Sequence, residues 1–235
     1  MSGAAKGGPV PAGRAGHVRI APSMMCADFL NLGRDVAALV QGGADVLHVD
    51  IMDGHYVPNF TLGPDYCRAL SRAATLPIDI HLMVENPDAH VPAFASIPRA
   101  MVSFHPDASK HPLRTIELIR SLGAVPGIAL DPAMPVEAAA EMLAHVAFVC
   151  VMTVNPGFAG QKLVPGSMEK IGRLAALLSE RGLECEIEVD GNVSWENIPL
   201  MVRAGAGLLV AGSSSLFDGK ADLQANLRRI RGITS

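Results

Sequence analysis

One pattern constrains the fold of this chain more than any other. Short apolar runs of strand character alternate with amphipathic runs of helical spacing, eight times in 235 residues. The strand-like runs cover residues 17–22, 45–52, 78–84, 100–105, 125–130, 147–154, 185–189 and 207–211. The helix-like runs cover residues 30–41, 64–74, 87–95, 111–122, 135–144, 166–180, 194–204 and 218–231. Leu32, Val36, Leu39 and Val40 recur at helical spacing and stop at Gly42-Gly43. Pro64 opens the next helix near its first position, and Gly123 and Gly182 close two others. Ser194 predicts an N-cap, with Asn197 at N3. Near-continuous apolar strands suit a parallel sheet covered on both faces. Eight strand–helix units with short loops and no linker predict an α/β fold, a closed (β/α)8 TIM barrel, which typically takes roughly 250 residues.

The barrel domain is expected over residues 17–235. Residues 1–16 are rich in Gly, Ala and Pro, carry Lys6 and Arg14, and lack the apolar core of a signal peptide. They are expected to form a disordered N-terminal tail.

A barrel gathers the C-terminal ends of its strands at one mouth, where such folds place their chemistry. The residues at those ends are Ser23, His48 with Asp50, His81, His105, Asp131, the stretch from Met152 to Asn155, Asp190, and Gly212-Ser213. His48 and Asp50 are two apart and share one face of a strand. A carboxylate and an imidazole on an apolar strand are costly to bury unless they are paired or bind metal. His48, Asp50, His81 and Asp190 form a two-histidine, two-carboxylate set suited to Zn²⁺, Fe²⁺, Mn²⁺ or Co²⁺. The same four also make sense as hydrogen-bonded polar pairs at the rim, and that reading suits His105 and Asp131 better than metal ligation does. Asp53 points to the other face of the strand and reads as structural.

A second constellation is Asn155-Pro156-Gly157-Phe158-Ala159-Gly160, followed by Asp190-Gly191-Asn192 and Ala211-Gly212-Ser213. Glycine-rich turns after strands six, seven and eight can aim backbone N–H groups at an anion, and barrels often hold phosphate there. There is no GxxxxGK[ST], so an ATP-type loop is not supported. Met24, Met25, Met52, Met83 and Met152 fall at or beside strand ends. Packing is their ordinary role, and shielding a reactive carbanion from water is a second.

Net charge is −4 and aromatics make up only 4% of residues, so neither a nucleic-acid surface nor a stacking platform is expected. No apolar stretch approaches about 18 residues, so no membrane span is expected. The four cysteines are scattered with no CxxC, as in a reduced cytoplasmic protein without a zinc knuckle.

The ordered motifs resemble the ribulose-phosphate 3-epimerase family. They are Ala21-Pro22-Ser23, Ala27-Asp28-Phe29, the run from His48 to Gly54 continuing through Tyr56-Val57-Pro58-Asn59, and His81-Leu82-Met83 before Glu85-Asn86-Pro87. Further on come Met152-Thr153-Val154-Asn155-Pro156-Gly157-Phe158, Glu188-Val189-Asp190-Gly191 and Gly212-Ser213. The resemblance runs from about Ile20 to Phe217. It implies a barrel of the ribulose-phosphate-binding type and one divalent metal on His48, Asp50, His81 and Asp190. It further implies an acid/base pair, Asp50 and Asp190, and sugar contacts from Ser23 and His81. Phosphate contacts would come from Gly157, Phe158, Ala159, Gly160, Gly191, Asn192, Gly212 and Ser213, and an apolar lining from Met52, Met83 and Met152. A phosphorylated ketose substrate and a homo-oligomer, dimer or hexamer, follow in the same way.

The implied reaction interconverts D-ribulose 5-phosphate and D-xylulose 5-phosphate. One carboxylate removes the C3 proton to give a cis-enediolate and the other returns a proton to the opposite face. Met24-Met25-Cys26, His105-Pro106-Asp107, Asn192 and Ser213-Ser214-Ser215-Leu216-Phe217 depart from the usual pattern and look more like the allulose-6-phosphate 3-epimerase branch. D-allulose 6-phosphate is therefore the alternative substrate. A metal-dependent barrel hydrolase and a non-catalytic sugar-phosphate binder are the remaining readings.

Overall fold

The structure is a computed structural model that describes residues 17–235; the tail expected over residues 1–16 lies outside the described residues. Eight strands run β1 Arg19–Pro22, β2 Leu47–Met52, β3 Ile78–Met83, β4 Ala100–Phe104, β5 Val125–Leu130, β6 Phe148–Met152, β7 Glu186–Asp190 and β8 Leu208–Ala211. All pair in parallel, in the order β1-β8-β7-β6-β5-β4-β3-β2. The ring closes between β1 and β2 through an isolated parallel bridge, Ser23 to His48, and through Asp45 N–H donating to Ile20 C=O at 3.0 Å. This is the (β/α)8 barrel that the alternation predicts.

The helices are α1 Leu32–Gln41, α2 Pro64–Ala73, α3 Pro87–Ala95, α4 Pro112–Ser121, α5 Ser167–Arg181, α6 Ile198–Ala204 and α7 Leu223–Thr234. The apolar periodicity becomes the buried stripe. Ile171, Leu174 and Leu178 of α5, and Leu227 and Ile230 of α7, face the sheet. They meet Ile20, Val49, Ile80, Val102, Val149, Val189 and Leu209 from the outer faces of the strands in one continuous apolar layer. Each of those side chains contributes about 1.5–3 kcal/mol on burial, so this layer is the main source of stability.

Three expected helices differ from the sequence reading. Residues 135–144 form two 3-10 turns, Val136–Ala139 and Leu143–His145. Arginines of neighbouring helices bind carbonyls there: Arg181 donates to Ala140 C=O at 2.7 Å and Arg120 to His145 C=O at 2.6 Å. These bonds compete with a regular helical ladder. The helix expected from Ser194 begins at Ile198, with Asn197 as its N-cap residue. Ser194 still accepts the Asn197 N–H, at 3.3 Å, but within a preceding turn. The last helix starts at Leu223, because Asp222 caps it by accepting the Ala225 N–H at 2.7 Å. Asp218 instead accepts from the Trp195 indole and the Lys220 amide.

Inside the barrel the side chains form layers. At the N-terminal end Arg19 and Glu186 make a two-pronged ion pair. Near it Ala21, Val46, Met101, Phe148, Leu208 and Val210 pack together. Gly127 is required in this region, since a Cβ there would lie 2.4 Å from the Phe148 ring. Toward the C-terminal end the interior becomes polar, and this is where the strand-end residues converge.

Candidate active site

Three strands each carry two polar residues at i and i+2, so both members of each pair face inward. They are His48 and Asp50 on β2, Asp79 and His81 on β3, and Glu188 and Asp190 on β7. The upper members and His48 cluster. His48 Nε2 lies 3.1 Å from Asp50 Oδ1 and 4.0 Å from Asp190 Oδ2. His81 Nδ1 lies 3.3 Å from Asp50 Oδ1 and 3.9 Å from Asp190 Oδ2. Ser23, at the end of β1, is 3.5 Å from Asp50 through its hydroxyl.

Asp79 and Glu188 form a lower tier that the strand-end reading missed. His48 Nδ1 is 2.5 Å from Asp79 Oδ2 and 3.4 Å from Glu188 Oε1, with all three side chains fully buried. The period-two spacing to His81 and to Asp190 is the signal that could have found them. Asp79 fixes the tautomer of His48: with Nδ1–H directed at Asp79, the Nε2 lone pair faces Asp50 and Asp190.

The electrostatics separate the two upper carboxylates. Burial works to raise Asp50, but the charge and hydrogen bonds of His48 and His81 outweigh it and hold Asp50 well below the usual range. Burial, reinforced by the Asp50 charge, pushes Asp190 up to about 6 against the pull of His48 and His81. Burial and the charge of Asp79 push Glu188 up to about 8. Burial also lowers His105, more than its neighbour Asp131 raises it.

One donor atom from each of His48, Asp50, His81 and Asp190 lies within 4.8 Å of all the others. His81 Nδ1 is buried, 3.3 Å from Asp50 Oδ1 but off the line of a well-formed hydrogen bond. A cation there balances two carboxylates, and two imidazoles with two carboxylates suit a borderline divalent metal. The four residues therefore form a possible metal site.

Above this floor opens a cleft. Ser23, Asp50 and Asp190 border it, whereas His48 and His81 lie beneath it, both fully buried. Met52, Met83 and Met152 form its apolar side. Met52 and Met83 pack with Val57, and Met152 with Cys150 and Ala129. The opposite side is made by Gly157, Phe158, Ala159 and Gly160 after β6, Gly191 and Asn192 after β7, and Gly212 and Ser213 after β8. All the expected phosphate-side residues are thus brought to one cleft. Asn192 takes a left-handed φ of +44°, which Asn tolerates better than most side chains. Its amide donates to Gln161 C=O at 2.6 Å, and Gln161 in turn folds the β6 loop by donating to Asn155 and Phe158 carbonyls. Gln161, Cys26 and Ser214 also border the cleft and were not anticipated.

The loop after β2 ties the two sides together. Asn59 donates to Gly157 C=O at 2.8 Å, and Tyr56 packs over His105. Asp53 accepts the backbone N–H groups of His55, Tyr56 and Glu85, which is the structural role expected of it. His105 and Asp131 do pair, at 2.9 Å, but His105 also touches His81.

Fold and site together define a barrel enzyme that presents paired carboxylates to a glycine-rimmed cleft. A sequence model described as the Ribulose-phosphate 3 epimerase family matches residues 19–217, and the chain belongs to that family. The ribulose-phosphate 3-epimerase of Bacillus subtilis (strain 168) is 42% identical over 216 residues, 92% of this chain and 99% of the relative. That of Escherichia coli (strain K12) is 42% identical over 200 residues, 85% of this chain and 88% of the relative. Among solved structures, phosphoribosyl anthranilate isomerase from Thermus thermophilus superposes with a TM-score of 0.64 at 15% identity, covering 92% of this chain and 98% of that one. A mutant tryptophan synthase alpha-subunit from Pyrococcus furiosus gives 0.68 at 16%, with the same coverage. These two show the shared fold.

Proposed function

We propose that the chain is an isomerase that interconverts D-ribulose 5-phosphate and D-xylulose 5-phosphate by moving the C3 proton through Asp50 and Asp190. Family membership supports the reaction class. The observation that carries the mechanism is the pair of carboxylates, both within 4.0 Å of the same two imidazoles yet shifted in opposite directions from the usual carboxylate range.

His48, Asp50, His81 and Asp190 would hold a divalent ion, which would supply Lewis-acid stabilisation of the negative charge developing on the sugar oxygens. Asp50, ionised, takes the proton from C3 on one face. Asp190, whose carboxyl is pushed up to about 6, is the more easily protonated of the two and delivers a proton to the other face. The reverse reaction exchanges their roles, so the two titrate as a coupled pair. Ser23, which borders the cleft, can contact a sugar hydroxyl, whereas His81 is fully buried beneath it. The turns after β6, β7 and β8 take the phosphate, whose remote binding energy holds C3 in place. Met52, Met83 and Met152 keep water from the enediolate.

The relatives above are named for ribulose phosphate, which favours that substrate over allulose 6-phosphate. Hydrolysis and passive binding do not fit an epimerase family with both carboxylates in place. We also assign the protein to the cytoplasm as a homo-oligomer. The free thiols of all four cysteines suit a reducing compartment.

The test is direct. Metal-loaded protein is given D-ribulose 5-phosphate in heavy water and followed by proton NMR. Xylulose 5-phosphate should form with solvent deuterium at C3. No turnover, release of inorganic phosphate, or a higher kcat/KM on allulose 6-phosphate would overturn the assignment.

A further inference from the structure

A row of polar groups leads away from the floor of the site, and the chemistry above does not use it. His81 Nε2 faces His105 Nε2 at 2.9 Å, with the two rings nearly parallel, 5.0 Å apart and 30° inclined. His105 Nδ1 stands 2.9 Å from Asp131 Oδ1, off the line of an ideal hydrogen bond. The Tyr56 hydroxyl donates to Asp131 Oδ2 at 3.3 Å, and its ring lies 4.7 Å from that of His105. The Lys170 ammonium donates to the backbone carbonyl of Asp131. His81 and His105 are fully buried.

The hydrogens along this row are fixed by elimination. Two lone pairs in contact repel, so His105 Nδ1, beside a carboxylate oxygen, carries a hydrogen. A neutral imidazole has only one N–H, so His105 Nε2 is an acceptor. His81 Nε2 then donates to it, which leaves the lone pair on His81 Nδ1. The opposite arrangement would turn a proton on His81 Nδ1 toward Asp50 Oδ1, 3.3 Å away, and leave no lone pair there for a metal.

We infer that His105 and Asp131 are positioning residues that hold His81 in the tautomer whose Nδ1 faces the metal site. The inference rests on the metal reading above. The two histidines of the site are oriented by different means: His48 by a carboxylate in direct contact, His81 by a carboxylate one imidazole removed, the imidazole just after β4 and the carboxylate just after β5. Outer groups of this kind typically govern metal affinity by about 10–100-fold.

The test reads metal binding and tautomers. In Zn²⁺-loaded wild-type protein, long-range ¹H–¹⁵N NMR should show His81 protonated at Nε2 and His105 protonated at Nδ1. In EDTA-treated protein titrated with Co²⁺, His105→Leu should weaken binding by about 10–100-fold. His105→Gln, whose amide oxygen can still accept from His81, should restore most of that loss. Asp131→Asn, which keeps an acceptor for His105, should bind more tightly than Asp131→Leu. A His105 protonated at Nε2 overturns the inference even if the leucine variants fail to fold. So does a folded His105→Leu that binds Co²⁺ as wild type does while His81→Ala loses it. Wild-type affinity in His81→Ala would instead sink the metal reading, and the inference with it.

Discussion

Asp50 and Asp190 approach the same two imidazoles from different strands, β2 and β7, yet Asp50 is held ionised and Asp190 is pushed up to about 6. Two carboxylates that share partners but stand at different distances from them, 3.1 and 3.3 Å for Asp50 against 4.0 and 3.9 Å for Asp190, provide a base and an acid within one cluster.

The first prediction follows from that pair. Asp50→Asn and Asp190→Asn should each lower kcat by about 10²–10⁴-fold, the usual contribution of a positioned acid or base. Ser23→Ala, which removes a single hydroxyl contact, should cost far less. Steady-state kinetics on D-ribulose 5-phosphate, with metal content measured in each variant, separates lost proton transfer from lost metal. Wild-type kcat in both asparagine variants would remove the mechanism.

Chelation is the second. Dialysis against EDTA should abolish turnover, and Co²⁺, Mn²⁺, Fe²⁺ or Zn²⁺ should restore it to different extents. Asp79→Asn keeps an oxygen acceptor for His48 but loses the charge, so it should weaken metal binding by about tenfold. Isothermal titration of the variant against wild type checks this.

The third concerns pH and stability in metal-free protein. Glu188 is raised from 4.5 to about 8, first by burial and then by the Asp79 charge. Between those values the unfolded chain releases a proton that the folded chain keeps. This contribution is therefore fully present below about pH 4.5 and is lost as pH rises toward about 8. Glu188→Gln carries no such ionisation, so its Tm relative to wild type should rise progressively from about pH 5 to about pH 8. Thermal melts of both proteins across that range decide it, and a constant difference would contradict the assignment.

The fourth lies at the far end of the barrel. Arg19→Met leaves Glu186 without its partner in the Arg19–Glu186 pair. Breaking a buried pair on one side costs about 3–5 kcal/mol, whereas replacing both members with apolar side chains is often near neutral. Urea unfolding of Arg19→Met should show the loss, and a double variant with Glu186→Leu should recover most of it.

Much of this molecule was legible in its sequence, for a physical reason. A barrel turns the order of strands into proximity, so polar residues at separate strand ends predict one site without any knowledge of distances. His48, Asp50, His81 and Asp190 were visible for that reason. Asp79 and Glu188 were not, because they sit one pleat below the ends, enclosed by apolar neighbours. The failed helix over residues 135–144 has another cause. Its composition favours helix, but Arg120 and Arg181 on other elements bind its carbonyls, and local sequence carries no trace of them. The link between His105 and His81 was hidden in the same way: each looked like a separate rim residue until the barrel set them 2.9 Å apart.

The closure of the ring has one more consequence. β1 and β2 meet through the isolated bridge from Ser23 to His48, while every other neighbouring pair of strands forms a ladder. The cylinder therefore has a zip with few teeth, and its last tooth belongs to the active site. Ser23 on one edge faces Asp50 on the other at 3.5 Å. A sugar gripped by both fastens the cylinder at its thinnest line. Holding the substrate and holding the barrel shut are then one event, and amides along β1 and β2 should gain the most hydrogen-exchange protection when ligand is added.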